Sequence, residues 1–166
     1  MSHLAMTADI EKPDYTRAEE PVTGIKSVFL AGTTAAVDNG DWRENLSALL
    51  SNYPVTIFNP NRPDWDSTWR EDINFGPYRE QVLWEPDKQV GADLVVVYLH
   101  PATLAPISLL EFGLSAQVPG KVIAIAPEEY SKRANVQIVC QKFGIEFLDT
   151  MDRVHEMVID KLHLNQ

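Results

Sequence analysis

The run DLVVVYL at residues 93–99 narrows the fold more than any other feature of the chain. A half-buried strand alternates apolar and polar residues, so a strand that is apolar at nearly every position must be covered on both faces. Strands of that kind belong to parallel sheets flanked by helices. The neighbouring segments supply both parts. Pro106 stands where the first turn of a helix would start, residues 107–117 continue it, Gly120 ends it, and KVIAIA at 121–126 is a second buried strand. Upstream, SVFLA at 27–31 is a strand closed by Gly32-Thr33-Thr34. A helical stripe at Trp42, Leu46, Leu49 and Leu50 follows within 41–51, then the strand PVTIFN at 54–59. A polar, proline-rich loop (59–72) leads to a helix over 77–88, whose last turn Pro86 should kink or shorten. A short helix at 135–143, a strand at 145–148 and a last helix capped by Asp149 or Thr150 complete the pattern; the last helix carries Met151, Val154, Val158 and Leu162. The expectation is an α/β chain: a single-domain, three-layer sandwich over residues 24–166, with a five-stranded, mostly parallel sheet of Rossmann-like or flavodoxin-like type. Residues 1–23 carry scattered charges, Pro13, Pro21 and no sustained period, and read as a disordered tail. The first six, Met-Ser-His-Leu-Ala-Met, read as an added remnant ahead of a natural start at Met6.

Charge and composition remove several function classes. Fourteen Lys and Arg against 24 Asp and Glu give a net charge of −10, which repels a nucleic-acid backbone or an anionic membrane over most of the surface. No nucleic-acid or membrane partner is expected. The single cysteine, Cys140, cannot form an internal disulfide, and no Cys and His stand at zinc-finger spacing. The longest apolar run, 94–99, is far short of the roughly 20 residues that span a bilayer. No secretory signal is visible, so a cytoplasmic, soluble protein is the expectation.

Parallel sheets hold ligands at the carboxyl ends of their strands, which directs attention to Gly32–Thr34, 59–66, 100–108 and 127–135. Neither GxGxxG nor GxxxxGK[ST] occurs, which weakens dinucleotide and P-loop binding. Gly32 and Thr33 would let a ligand approach the backbone closely, although glycine is also an ordinary turn residue. Glu111 is more pointed. It lies in the second turn of the helix after the central strand, with Leu109, Leu110, Phe112, Gly113 and Leu114 around it. A carboxylate in such a run either faces a cleft or bears a large desolvation cost. His100 ends the central strand and either meets a ligand or simply finishes the strand. Cys140, beside Val139 and Phe143, reads as core because no base partner is placed for it.

Three segments together resemble the nucleoside 2-deoxyribosyltransferase-like family, which includes related nucleotide N-glycosidases: LLEFG at 109–113, REQVLWE at 79–85 before Ala92-Asp93, and FNPNRPDWD at 58–66. The resemblance covers roughly residues 27–135. It implies that Glu111 is the nucleophile and Glu85, eight residues before Asp93, the second catalytic carboxylate. On the residues alone, Glu85 also reads as a solvated helix position beside Trp84. The loop at 58–66 resembles one that closes over the base, where Asp64 offers a hydrogen bond and Trp65 a stacking face. Arg62 either joins them or pairs with a neighbouring aspartate. Asp93 counts among the substrate-binding candidates. Two positions depart from the family pattern: Phe29 stands where a tyrosine orients the nucleophile, and Ala105 where an aspartate holds the sugar. Thr103 or Ser108 offers a hydroxyl in its place. The resemblance further implies homo-oligomers with shared sites, Asn135 reaching into a neighbour's site; a turn or cap role for Asn135 stands beside that reading.

Cleaving an N-glycosidic bond builds positive charge on the sugar, which a carboxylate nucleophile traps as a glycosyl ester while the departing base takes up a proton. Two carboxylates therefore suffice, without metal or cofactor. The favoured expectation is transfer of a 2-deoxyribosyl group between a nucleoside or nucleotide and a free base. A hydrolase with the same nucleophile and a non-catalytic nucleotide-binding module are the alternatives.

Overall fold

The computed structural model describes residues 9–11, 26–34, 40–62 and 65–165. The five expected strands are present as β2 (Lys26–Gly32), β3 (Val55–Phe58), β4 (Leu94–Tyr98), β5 (Val122–Ile125) and β6 (Glu146–Leu148), every neighbouring pair parallel. A further three-residue strand, β1 (Asp9–Glu11), pairs in parallel with β3, so the sheet has six strands in the order β1-β3-β2-β4-β5-β6. It lies inside the segment read as a disordered tail. Three residues are too few to show a period, and what orders them is the open edge that β3 offers.

Parallel strands need crossovers, and the helices supply them. They are α1 (Trp42–Leu50), α2 (Gly76–Gly91), α3 (Pro106–Ala116), α4 (Arg133–Phe143) and α5 (Val154–Leu162). One face of the sheet buries Val28, Leu30, Ile57, Val96 and Ile123 against Trp42, Leu46 and Leu50 of α1 and Val154 and Val158 of α5. The other buries Phe29, Phe58, Val95, Val97 and Ala124 against Phe112 of α3, Val136 and Cys140 of α4, and Trp84 of α2. Alternate residues of β4 therefore serve opposite layers, which is why that strand reads as unbroken hydrophobicity. Trp84 lies 6.3 Å from the ring of Phe29 and 6.5 Å from that of Phe58.

Two helix boundaries differ from expectation. Pro86 does not shorten α2, which runs on to Gly91. The proline removes only the N–H that would reach Val82, an exposed position whose carbonyl water can satisfy. The last helix starts at Val154, with no side-chain cap, rather than after Asp149 or Thr150. The Asp149 carboxylate is instead taken by the Arg133 guanidinium.

The chain leaves β2 through Gly32, whose φ of +131° is one that side-chain-bearing residues rarely adopt. A Cβ there would stand 2.2 Å from Tyr98 O and 2.7 Å from Tyr98 N, main-chain atoms of the paired strand β4. Gly32→Ala should therefore cost about 3 kcal/mol or more of stability, since neither strand can retreat without breaking the central ladder. Urea unfolding measures it; a variant with native-like stability would contradict this account of the strand end.

Candidate active site

Counting from β2, the strand order is 2-1-3-4-5, the flavodoxin-like order, and it reverses between β2 and β4. Ligands of such sheets sit beyond the carboxyl ends at that reversal. Thr33 N–H donates to Tyr98 O (2.8 Å), and Thr33 Oγ1 accepts from His100 N–H (3.0 Å), so the two strand ends are bolted together there.

Above this junction lies α3, built inside out. Its buried positions include Ser108, Glu111 and Ser115, while Ile107, Leu110 and Leu114 are 59%, 58% and 60% exposed. The i, i+3, i+7 spacing of Ser108, Glu111 and Ser115 keeps all three on the inward face. Gln89 of α2 fixes that face: its Nε2 donates to Glu111 O and to Ser115 Oγ, both at 2.6 Å. Glu85, one turn earlier on α2, accepts at Oε1 from Gln81 Nε2 (2.5 Å), whose amide also donates to Pro60 O (3.1 Å). Two carboxyl groups from adjacent helices thus share one poorly solvated region.

Their proton affinities follow. Burial, then the negative charge of Glu85, pushes Glu111 up to about 8, against an opposing pull from Arg43. Burial raises Glu85 as well, opposed by the Gln81 hydrogen bond and by Arg43. The resident cation belongs to the opposite layer. Arg43 of α1 is only 2% exposed, and it donates from Nε to Leu30 O (3.0 Å), from Nη2 to Gly32 O (2.8 Å) and from Nη1 to Thr33 O (3.0 Å). Trp42 Nε1 also donates to Thr33 O, at 2.8 Å. Burial lowers Arg43 to about 10, partly offset by Glu111, Asp41 and Glu85, so it stays charged at neutral pH.

The loop between β3 and α2 overhangs the same end of the sheet. Asn61 Nδ2 donates to Asp41 Oδ2 (2.8 Å), which ties the loop to the start of α1. Trp65, which is exposed, lies 5.2 Å from the ring of Trp69 and 6.3 Å from that of Tyr78, and the Arg62 guanidinium sits 4.9 Å over Trp69. Arg62 is thus buried against a ring. Asp64 lies outside the described residues.

Residues 25–130 match the family model described as nucleoside 2-deoxyribosyltransferase like. The chain belongs to that family. A search of curated proteins finds no match. Membership carries an association with glycosyl transfer on nucleosides at the level of the family. No helix among the described residues is long and apolar enough to cross a membrane.

Of the positions singled out in the sequence, the fold brings Glu111, Glu85 and Ser108 to the inner side of the α2–α3 layer and puts Thr103, half-buried, in the loop before α3. Gly32 and Thr33 stand at the reversal, but both are consumed in joining β2 to β4. His100 lies two residues beyond the end of β4, with Nδ1 accepting from Ala102 N–H at 3.0 Å. Cys140 is buried and its thiol is pushed up to about 11, as a core residue's would be. Asp93 is not brought to this end of the sheet. It lies at the amino end of β4, away from the ligand side of the sheet, where it accepts from Ser27 N (2.8 Å) and Ser27 Oγ (3.1 Å). Asn135 is exposed in the first turn of α4. Phe29, at the family's tyrosine position, is fully buried beneath Trp84. Ala105, at the family's aspartate position, is the N-cap of α3 and adopts φ 46°, ψ 58°, a left-handed conformation costing on the order of 1 kcal/mol in a residue with a Cβ.

Arg43 and Gln81 are residues of the candidate site that the sequence reading missed. Arg43 had a signal: with Leu46, Ser47 and Leu50 it completes the buried i, i+3, i+4, i+7 face of α1, while Leu49 of the expected stripe is exposed. Gln81 stands one turn before Glu85, the spacing at which helical side chains meet.

A carboxyl group that keeps its proton to about pH 8 when folded, against an ordinary value of 4.5, makes stability pH-dependent. Between those values the unfolded chain binds fewer protons, so stability falls as pH rises. Glu111→Gln removes this dependence. Thermal unfolding should find the variant gaining on the native chain steadily from pH 5 to pH 8.5; parallel curves would mean that Glu111 is not held in a desolvated site.

Proposed function

We propose that the chain cleaves the N-glycosidic bond of a (deoxy)nucleoside or nucleotide through a covalent glycosyl-Glu111 intermediate and transfers the sugar to another base. The observation that supports this most is the inward turn of Glu111 on a helix whose Leu110 and Leu114 face out, beside a second, half-buried carboxyl group. Glu111 Oε attacks the anomeric carbon as the bond from that carbon to the base nitrogen breaks, and Glu85 donates its proton to the departing base. An incoming base then attacks the anomeric carbon, its N–H proton returns to Glu85, and Glu111 leaves as carboxylate. Below about pH 8 the pair retains at least one proton. The reacting form is the one that carries that proton on Glu85. Trp65 supplies the base with a stacking face, Asp64 with a hydrogen bond, and Thr103 and Ser108 supply hydroxyls to the sugar or a phosphate.

A hydrolase reading draws on Ala105, because a methyl group stands where the family has a carboxylate to grip the sugar. Product analysis with and without a second free base separates the two, since only a transferase makes a new nucleoside. The third reading, a module that binds without reacting, draws on Phe29 and Ala105 together; retained binding with no base released from a panel of nucleosides and nucleotides would establish it.

Assembly belongs to the same reading. The exposed apolar row Ile107, Leu110, Leu114 suits a homo-oligomer in which Asn135 completes a neighbour's site. Light scattering should find at least a dimer, and Asn135→Ala should lower turnover; an active monomer would refute the assembly, and a fully active Asn135→Ala oligomer the shared site. For the chemistry, Glu111→Ala should lose several orders of magnitude in base release, because no other group supplies the nucleophile. Glu85→Gln should lower turnover about 10²–10⁴-fold with a smaller effect on substrate binding. Its residual kcat/KM should rise at lower pH than in the native chain, because Glu111 is relieved of a like charge. Near-native turnover of Glu111→Ala in a base-release assay would end this mechanism.

A further inference from the structure

We propose that Arg43 is a positioning residue that serves as the site's fixed counter-charge: the main chain holds it at the end of β2, the strand against which the helix of Glu111 packs. This rests on the reading of Glu111 as nucleophile for its consequence in catalysis, but not for its test.

The geometry begins with a mismatch in strand length. β3 ends at Phe58, opposite Phe29, while β2 continues to Gly32. Leu30 and Gly32 are two residues apart, so their carbonyls leave β2 on the same edge. Arg43 takes both of these carbonyls and that of Thr33, so three prongs of its guanidinium are occupied by main-chain oxygens. Among the described residues, no ion pair joins it to a carboxylate. That is unusual for an arginine 2% exposed, since buried charges are ordinarily paired. What remains is its charge, placed at the end of the strand against which α3 packs, where it opposes the rise that burial gives Glu111 and Glu85.

Distance is an advantage here. A guanidinium bonded directly to Glu111 would occupy the oxygen that must attack the sugar, and it would stand against the positive charge that develops there. Held by carbonyls, it favours the ionised nucleophile and leaves its oxygens unoccupied. The groups that act on Glu111 are then Glu85 from α2, which opposes ionisation, and Arg43 from α1, which favours it.

The test is the titration of the Glu111 carboxyl carbon, followed by NMR in protein labelled at glutamate Cδ and assigned through Glu111→Gln, with no substrate present. In Arg43→Met the midpoint should rise by about one pH unit or more. In Arg43→Lys, which keeps the charge but gives up the three-pronged grip, it should stay within about half a unit of native even though stability drops. An arginine that only ties off carbonyls would lower stability in both variants and move the midpoint in neither, and that result overturns the proposal. An equal upward shift in both variants would overturn it too. Where Arg43→Met fails to fold, Arg43→Gln, which keeps hydrogen-bond donors but not the charge, takes its place: a rise of about a unit or more supports the proposal, and a midpoint within about half a unit of native overturns it. Should base release be absent from every variant and from the native chain, the proposed function fails while this titration still stands.

Discussion

The close approach of Gly32 to the Tyr98 main chain is the constraint on which the rest of the site is built. It brings the ends of β2 and β4 into contact where the strand order reverses, with no side chain between them. Thr33 then joins the two ends through its N–H and hydroxyl, and Trp42 and Arg43 reach up from α1 to the carbonyls that remain. A helix from one layer thereby delivers its cation to the end of the sheet where the other layer delivers two carboxyl groups.

The energetics of this region run against stability. Two carboxyl groups and a guanidinium are removed from water without forming a direct pair, and each is pushed toward its neutral form by that removal. α3 adds an uncapped, left-handed start at Ala105 and an outward row of leucine and isoleucine. The loop before it is nevertheless held in place, because the Tyr130 hydroxyl donates to Leu104 O at 2.8 Å. Such a concentration of unfavourable features beside a strand-order reversal is what a binding or catalytic site requires, and the sheet beneath, dense with buried Val, Ile and Phe, supplies the compensating burial.

Much of this was legible in the residues. Both faces of β4 announce themselves in Val95, Val96 and Val97, and Pro106 marks the start of α3 within a residue. Glu111 stood out because its neighbours are apolar. What was illegible depended on partners distant in sequence. β1 forms only because β3 has a free edge, α5 starts late because Arg133 claims Asp149, and α2 passes Pro86 because the lost bond faces solvent. Asp93 shares a segment with the site residues yet belongs to the opposite end of the sheet, since a strand of five residues separates the two ends. Arg43 was hidden by its charge: a cation on a core-facing stripe reads as a surface residue until the carbonyls it satisfies are in view.

The central claim is that Glu111 forms a bond to the sugar. Incubation with a 2-deoxy-2-fluoro nucleoside, whose fluorine slows breakdown of a glycosyl ester more than its formation, followed by mass spectrometry of the digested chain, tests it most directly. The account predicts one fluorosugar added to the peptide that carries Glu111, and none in Glu111→Gln. Base released without any adduct there, or an adduct on another residue, would contradict it.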